Sequence, residues 1–140
     1  MKNILTANLY KYQDEGLLIL RILLGLVLMY HGYVKIAGGM HKIIDTGSAM
    51  AYIGITGGYF FFGALATFCE LIGGIFIIVG LFYRLFAFLM VGTLFVASVM
   101  QLGAHGYDKA SHAMDLMFAY IGMLIAGPGK YSLDYKWFHK

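Results

Sequence analysis

The sequence predicts an all-α fold, a bundle of four transmembrane helices with a short amphipathic helix between the first and the second. Three observations predict it. Apolar residues make up 61% of the chain and charged residues 12%, where soluble domains hold roughly 45–50% and about 25%. Mean hydropathy is +0.77. The apolar residues also gather into stretches near the ~20 residues that cross a hydrocarbon core of about 30 Å. The 140 residues suit one integral membrane domain over 1–140. A single cysteine, Cys69, excludes an internal disulfide, CxxC redox chemistry and a cysteine-based zinc site. The net charge of +3 is dispersed without a basic block, so nothing supports binding to nucleic acid.

The first span is expected over residues 16–35. Asp14, Glu15 and Arg21 spoil the basic leader and apolar centre of a signal peptide. No small-residue cleavage site follows Met29-Tyr30-His31 closely, so this stretch reads as a retained helix. A long link, 36–58, comes next. In it Met40, Ile43, Ile44, Gly47 and Ala51 recur at helical spacing, with Lys42, Asp45 and Ser48 elsewhere. That pattern suits an amphipathic helix lying on the membrane or capping the bundle. Gly57-Gly58 breaks the chain before the second span at 59–80. A tight turn around Phe82-Tyr83-Arg84 leads to the third span at 85–103, which has no charge between Leu85 and Met100. The fourth span, 111–127, stops at Gly127-Pro128, where glycine caps and proline cannot continue. At about 16 residues it is only ~24 Å long, which puts Asp115 near its mouth.

Basic residues orient the bundle. Four spans collect Lys2, Lys11, Arg84, Lys130, Lys136 and Lys140 on the side of the termini, against Lys35, Lys42 and Lys109 on the other. The positive-inside rule then predicts cytoplasmic termini.

Arg21 and Glu70 stand inside stretches that are otherwise apolar enough to cross a membrane. A charge at the bilayer centre costs about 2.5–3.5 kcal/mol even on the lenient insertion scale, so such residues face a bundle interior or an aqueous cavity. Their depths from the terminal side differ by about 7–8 Å, which predicts that they pair. At the opposite side three helix ends each carry two polar residues on one face: His31 with Lys35, Gln101 with His105, and His112 with Asp115. One consistent picture is a polar cavity open to the outside and floored by Arg21 and Glu70. Two plainer readings compete with it: snorkelling of the outer pairs to headgroups, and a purely structural Arg21–Glu70 ion pair. His31, His105 and His112 match no haem or metal motif, so no metal site is assigned. The methionines read as packing. Gly63, Gly73, Gly74 and Gly80, with Ala119, Gly122 and Ala126, read as points of close helix approach. The tyrosines and Trp137 read as interface belts.

These residues resemble the DoxX family of small bacterial membrane proteins. The likeness rests on Arg21, Gly25, His31-Gly32 and Lys35, then on Glu70 with Gly73-Gly74. It extends through Gly80, Arg84 and Asp115 to the stretch from Gly127-Pro128-Gly129 to Asp134. The resemblance implies a four-helix protein of the bacterial inner membrane, a name derived from a subunit of a thiosulfate:quinone oxidoreductase, and links to thiol or oxidative-stress systems.

Three functions follow as expectations. The first is a redox-associated subunit that binds a quinone-like or other small ligand in the cavity, with Arg21, Glu70 and the outer histidines handling protons or hydrogen-bonding carbonyl oxygens. The chain has no evident redox centre of its own, so a partner would bring the electrons. The second is a non-enzymatic scaffold in the lipid bilayer for membrane or extracytoplasmic redox or stress proteins. The third is a small transporter, which four spans would support only as a homo-oligomer.

Overall fold

The computed structural model describes residues 10–138, and they are mostly helical, with no strand among them. A 3-10 turn at Tyr10–Tyr12 leads into α1 (Gln13–Ala37), followed by α2 (Gly39–Ser48) and a second 3-10 turn at Ala49–Ile53. Then come α3 (Tyr59–Val79), α4 (Tyr83–His105), α5 (Tyr107–Ala126) and α6 (Leu133–Phe138). Among the described residues three helices, α1, α3 and α4, are long and apolar enough to cross a membrane. The fourth long helix, α5, has 20 residues but carries Asp108, Lys109 and Asp115. Lys2 and Lys140, used above to orient the chain, lie outside the described residues.

The expected boundaries need two corrections. α4 begins at Tyr83, ahead of residue 85, because Asp134 caps it from across the molecule. The Asp134 carboxylate accepts the backbone N–H of Phe82 at 2.9 Å and of Tyr83 at 2.8 Å. Those two donors have no partner inside the helix. Phe82 itself is left-handed, at φ 46°, a conformation that costs a non-glycine residue about 1–3 kcal/mol. α5 begins at Tyr107 and not at 111, directly after Gly106. Its polar first turn is helical because Asp108 complements the positive end of the helix dipole and its carbonyl accepts the Ser111 hydroxyl at 3.0 Å.

Within the bundle α1 packs along α3, α4 along α5, and α3 against α4. Two buried tyrosines reinforce the seams: Tyr83 donates to the Met123 carbonyl at 3.2 Å, and Tyr120 to the Leu24 carbonyl at 3.0 Å. Neither belongs to an interface belt, since both are completely buried; a phenol removed from water stays inside when its hydroxyl finds an acceptor. Trp137 is exposed, as are Tyr30, Tyr33 and Tyr107 near helix ends. Leu28, Cys69, Ile77, Phe86, Met90, Leu94 and Met123 complete the core around the two tyrosines. Outward, Leu23, Phe61, Phe68, Phe95 and Ile125 are all exposed. So much apolar surface on one small molecule is what a lipid-facing wall looks like.

Glycine decides how closely the helices meet. A Cβ on Gly25 would fall 2.8 Å from the Gly74 carbonyl, and one on Gly74 would fall 2.8 Å from the Gly25 carbonyl. α2 is held the same way against the first turns of α3. Gly47 lies against the Tyr59 carbonyl, and Gly63 against the Ile43 carbonyl, with no room for a side chain on either.

The far end of the bundle is closed by residues 127–134. Lys130 N–H donates to Asp14 at 2.9 Å, the Tyr131 hydroxyl donates to Glu15 at 3.0 Å, and Asp134 N–H donates to the Gly80 carbonyl at 2.9 Å. The Lys130 ammonium sits 3.4 Å from Asp14 and 3.7 Å from Glu15. Desolvation pulls the Lys130 pKa down, but the charges of Glu15, Tyr131 and Asp14 outweigh it and hold the pKa above the usual lysine value. Gly80, left-handed at φ 70°, ends α3 here; a Cβ on it would run into Ser132 and the Arg21 guanidinium.

Two predictions follow from these contacts. Gly63→Val should undock α2 and cost about 1–3 kcal/mol through overpacking. Gly122→Ala, with nothing within 4 Å of the added carbon, should change stability by less than ~1 kcal/mol. Thermal unfolding in detergent compares them. Asp134→Ala should cost about 0.5–2 kcal/mol, the usual loss of a helix cap, with faster amide exchange at Phe82 and Tyr83.

Candidate functional site

At the end of the bundle opposite residues 127–134, the helices part around a cavity of about 730 Å³. Its walls come from α1, α2, the second 3-10 turn, α3, α4 and α5. The volume falls within the roughly 300–1,000 Å³ of small-molecule sites. Most of the wall is apolar, with Leu28, Phe62, Leu65, Phe88, Leu94 and Leu116 among its members.

The ion pair in this cavity is not the expected one. Lys35 Nζ lies 2.6 Å from Glu70 Oε1, with the two side chains 18% and 7% exposed. Arg21 takes no part. Its guanidinium donates to the carbonyls of Pro128, of Ile78 at 3.1 Å and of Tyr131 at 3.3 Å. The expected Arg21–Glu70 pair is therefore wrong, and so is the picture of Arg21 in the cavity floor. Depth alone suggested it, but Arg21 turns toward the chain end, where carbonyl dipoles satisfy it, and Lys35 reaches back down α1 to the carboxylate. That direction is the natural one, because helical side chains lean toward the N-terminus of their helix.

Of the outer residues, His31, Lys35, Gln101 and His112 line the cavity. The rings of His31 and His112 face each other across α1 and α5, with centroids 6.0 Å apart and an interplanar angle of 30°. His31 Nδ1 is 2.8 Å from the Val27 carbonyl. A carbonyl only accepts, so in the neutral ring Nδ1 carries the proton and Nε2 is left as an acceptor. His105 and Asp115 are exposed and are not among the lining residues. Asp115 is expected at the mouth of a shorter helix; with α5 starting at Tyr107 it lies two turns in, exposed and off the cavity although three residues from His112.

Lys42, Thr46, Cys69, Thr93 and Lys109 also line the cavity and were not foreseen. Lys42 was read as part of a polar surface of α2. The Gly47–Gly63 contact folds that helix over the cavity instead. Lys109 lay in a stretch read as a loop. The helical spacing in 36–58 was the only available signal for Lys42, and the positions of the walls gave none for Lys109. Three lysines against one carboxylate make the cavity electropositive. Among the described residues no group of three or more histidine, cysteine or acidic side chains is arranged to hold a metal.

Apolar spans, glycine-tight helix packing and a lipid-facing exterior define a helical integral membrane protein. The DoxX family model matches residues 16–103, from the second turn of α1 to near the end of α4, and the chain belongs to that family. No curated protein and no solved structure matches it. The matched stretch includes Lys35 and Glu70, while residues 127–134 lie beyond it.

The Lys35–Glu70 pair generates a stability prediction. Lys35→Met or Glu70→Leu alone leaves one charge without its partner and should cost about 3–5 kcal/mol, whereas the double substitution should cost clearly less than the sum. A double-mutant cycle of thermal unfolding in detergent measures the difference.

Proposed function

We propose that this DoxX protein is a four-span membrane protein that binds an amphipathic, quinone-like small molecule in the cavity and serves a redox partner there. The observation that carries the reading is the Lys35–Glu70 pair set in a mostly apolar cavity large enough for a ligand ring. An apolar lining with a few convergent polar groups is the usual make-up of a small-molecule site. Lys35 supplies hydrogen bonds to a carbonyl oxygen, and His31, His112 and Gln101 add polar contacts nearer the mouth. Glu70, with the histidines, is suited to exchanging protons with the bound head group. The electrons come from a partner protein. Arg21 serves the structure and not the ligand, since backbone carbonyls engage both terminal nitrogens of its guanidinium.

In this reading α5 is the fourth span, the whole chain is one domain, and the protein sits in a bacterial inner membrane with cytoplasmic termini. Lys11, Arg84, Lys130 and Lys136 at the end away from the cavity support that orientation. The cavity then opens to the extracytoplasmic side.

Binding tests the function. Purified protein in nanodiscs should bind menadione or decylubiquinone, and Lys35→Met should weaken binding by roughly tenfold, the effect of losing one charged hydrogen bond. Wild-type protein that binds neither compound would remove the reading. For topology, cysteines placed at Lys42 and Lys109 in a Cys69→Ser background should react with an impermeant thiol reagent in intact cells. A cysteine at Lys136 should stay unlabelled.

A further inference from the structure

The pair at Glu70 leaves one atom unanswered. Glu70 is 5% exposed, and while Oε1 accepts from Lys35 at 2.6 Å, the buried Oε2 accepts no hydrogen bond from any described residue. A buried carboxylate oxygen left unmatched is costly, more so than a neutral acceptor. The two threonine hydroxyls in the cavity wall are already committed. Thr46 donates to the Lys42 carbonyl at 2.9 Å, and Thr93 to the Leu89 carbonyl at 3.0 Å. Lys35, by contrast, has three N–H donors and gives one to Glu70. The site thus sets an acceptor that lacks a donor beside a cation with donors to spare.

A ketone or ether oxygen answers only the lysine. A hydroxyl answers both, since its oxygen accepts from Lys35 while its hydrogen is donated to Glu70 Oε2. Resting on the cavity's reading as a site for an amphipathic molecule, we propose that it selects ligands whose head carries a hydroxyl, phenolic or alcoholic, seated between Lys35 Nζ and Glu70 Oε2. The tail lies along the apolar wall formed by Phe62, Leu65 and Leu116. A quinone-like ligand is then held more tightly in its reduced, hydroxyl-bearing form.

The test needs no redox chemistry. Binding of 4-octylphenol and of its methyl ether, 4-octylanisole, is measured by equilibrium dialysis against the full-length protein in nanodiscs, with protein-free nanodiscs subtracted. The phenol should bind roughly tenfold more tightly than the ether, the worth of one hydrogen bond to a charged acceptor. In Lys35→Met/Glu70→Leu the ratio should fall below about twofold, with the fold verified by circular dichroism. Equal binding of phenol and ether by the wild type would overturn the inference; if menadione still binds, the cavity's role as a ligand site survives. A wild-type preference that persists in the double variant would overturn it as well, because the hydroxyl is then read elsewhere. Failure of the phenol, the ether and menadione alike would remove both the inference and the site beneath it.

Discussion

A cation drawn out of water into a helical bundle has to be met by an opposite charge or by carbonyl dipoles. This chain meets the requirement twice, in two different ways. Lys35 finds Glu70, and the two hold α1 against α3 where the bundle begins to open. Arg21 finds three carbonyls, two of them in the segment that follows α5, and thereby closes the other end. One end of the molecule is sealed by its cation and the other is kept polar by an ion pair. The tyrosine-centred core lies between them.

The glycines make this division possible. Close backbone contact at Gly25 and Gly74 brings α1 near enough to α3 for Lys35 to reach Glu70. Gly47 and Gly63 fold α2 down onto α3, so a helix that could have floated on the membrane becomes a wall of the cavity and carries Lys42 with it. Packing without side chains therefore shapes the site as much as the polar residues do. An added methyl group at Gly25, Gly63 or Gly74, none of which lines the cavity, would still be felt there.

Much of this was legible in the residues. Hydropathy and glycine punctuation located α1, α3 and α4 closely, since span length and helix breakers are local properties. The spacing within 36–58 suits an amphipathic helix on the membrane or capping the bundle, and in that stretch α2 lies against α3. Of the candidate site residues, His31, Lys35, Glu70, Gln101 and His112 share the cavity, while Arg21, His105 and Asp115 do not. The errors have a common origin. Depth along a helix can be counted from a sequence, but the direction of a long side chain depends on acceptors contributed from elsewhere in the chain. Nothing near Arg21 announces that its partners lie beyond Gly127. Nothing near Phe82 announces that Asp134 will cap it.

That distance has a consequence for how the protein is made. Pro128 and Tyr131, which satisfy Arg21, follow it by 107 and 110 residues. At roughly 5–20 residues per second of synthesis, the first helix waits several seconds before its acceptors exist. Until then the Ile78 carbonyl, 57 residues on, is the one of its three acceptors already made. The nascent helix must shelter its cation in the insertion machinery or at the headgroup boundary until Pro128 and Tyr131 complete its set of acceptors. Premature termination near residue 126 would thus leave every long helix complete and Arg21 without two of its three acceptors.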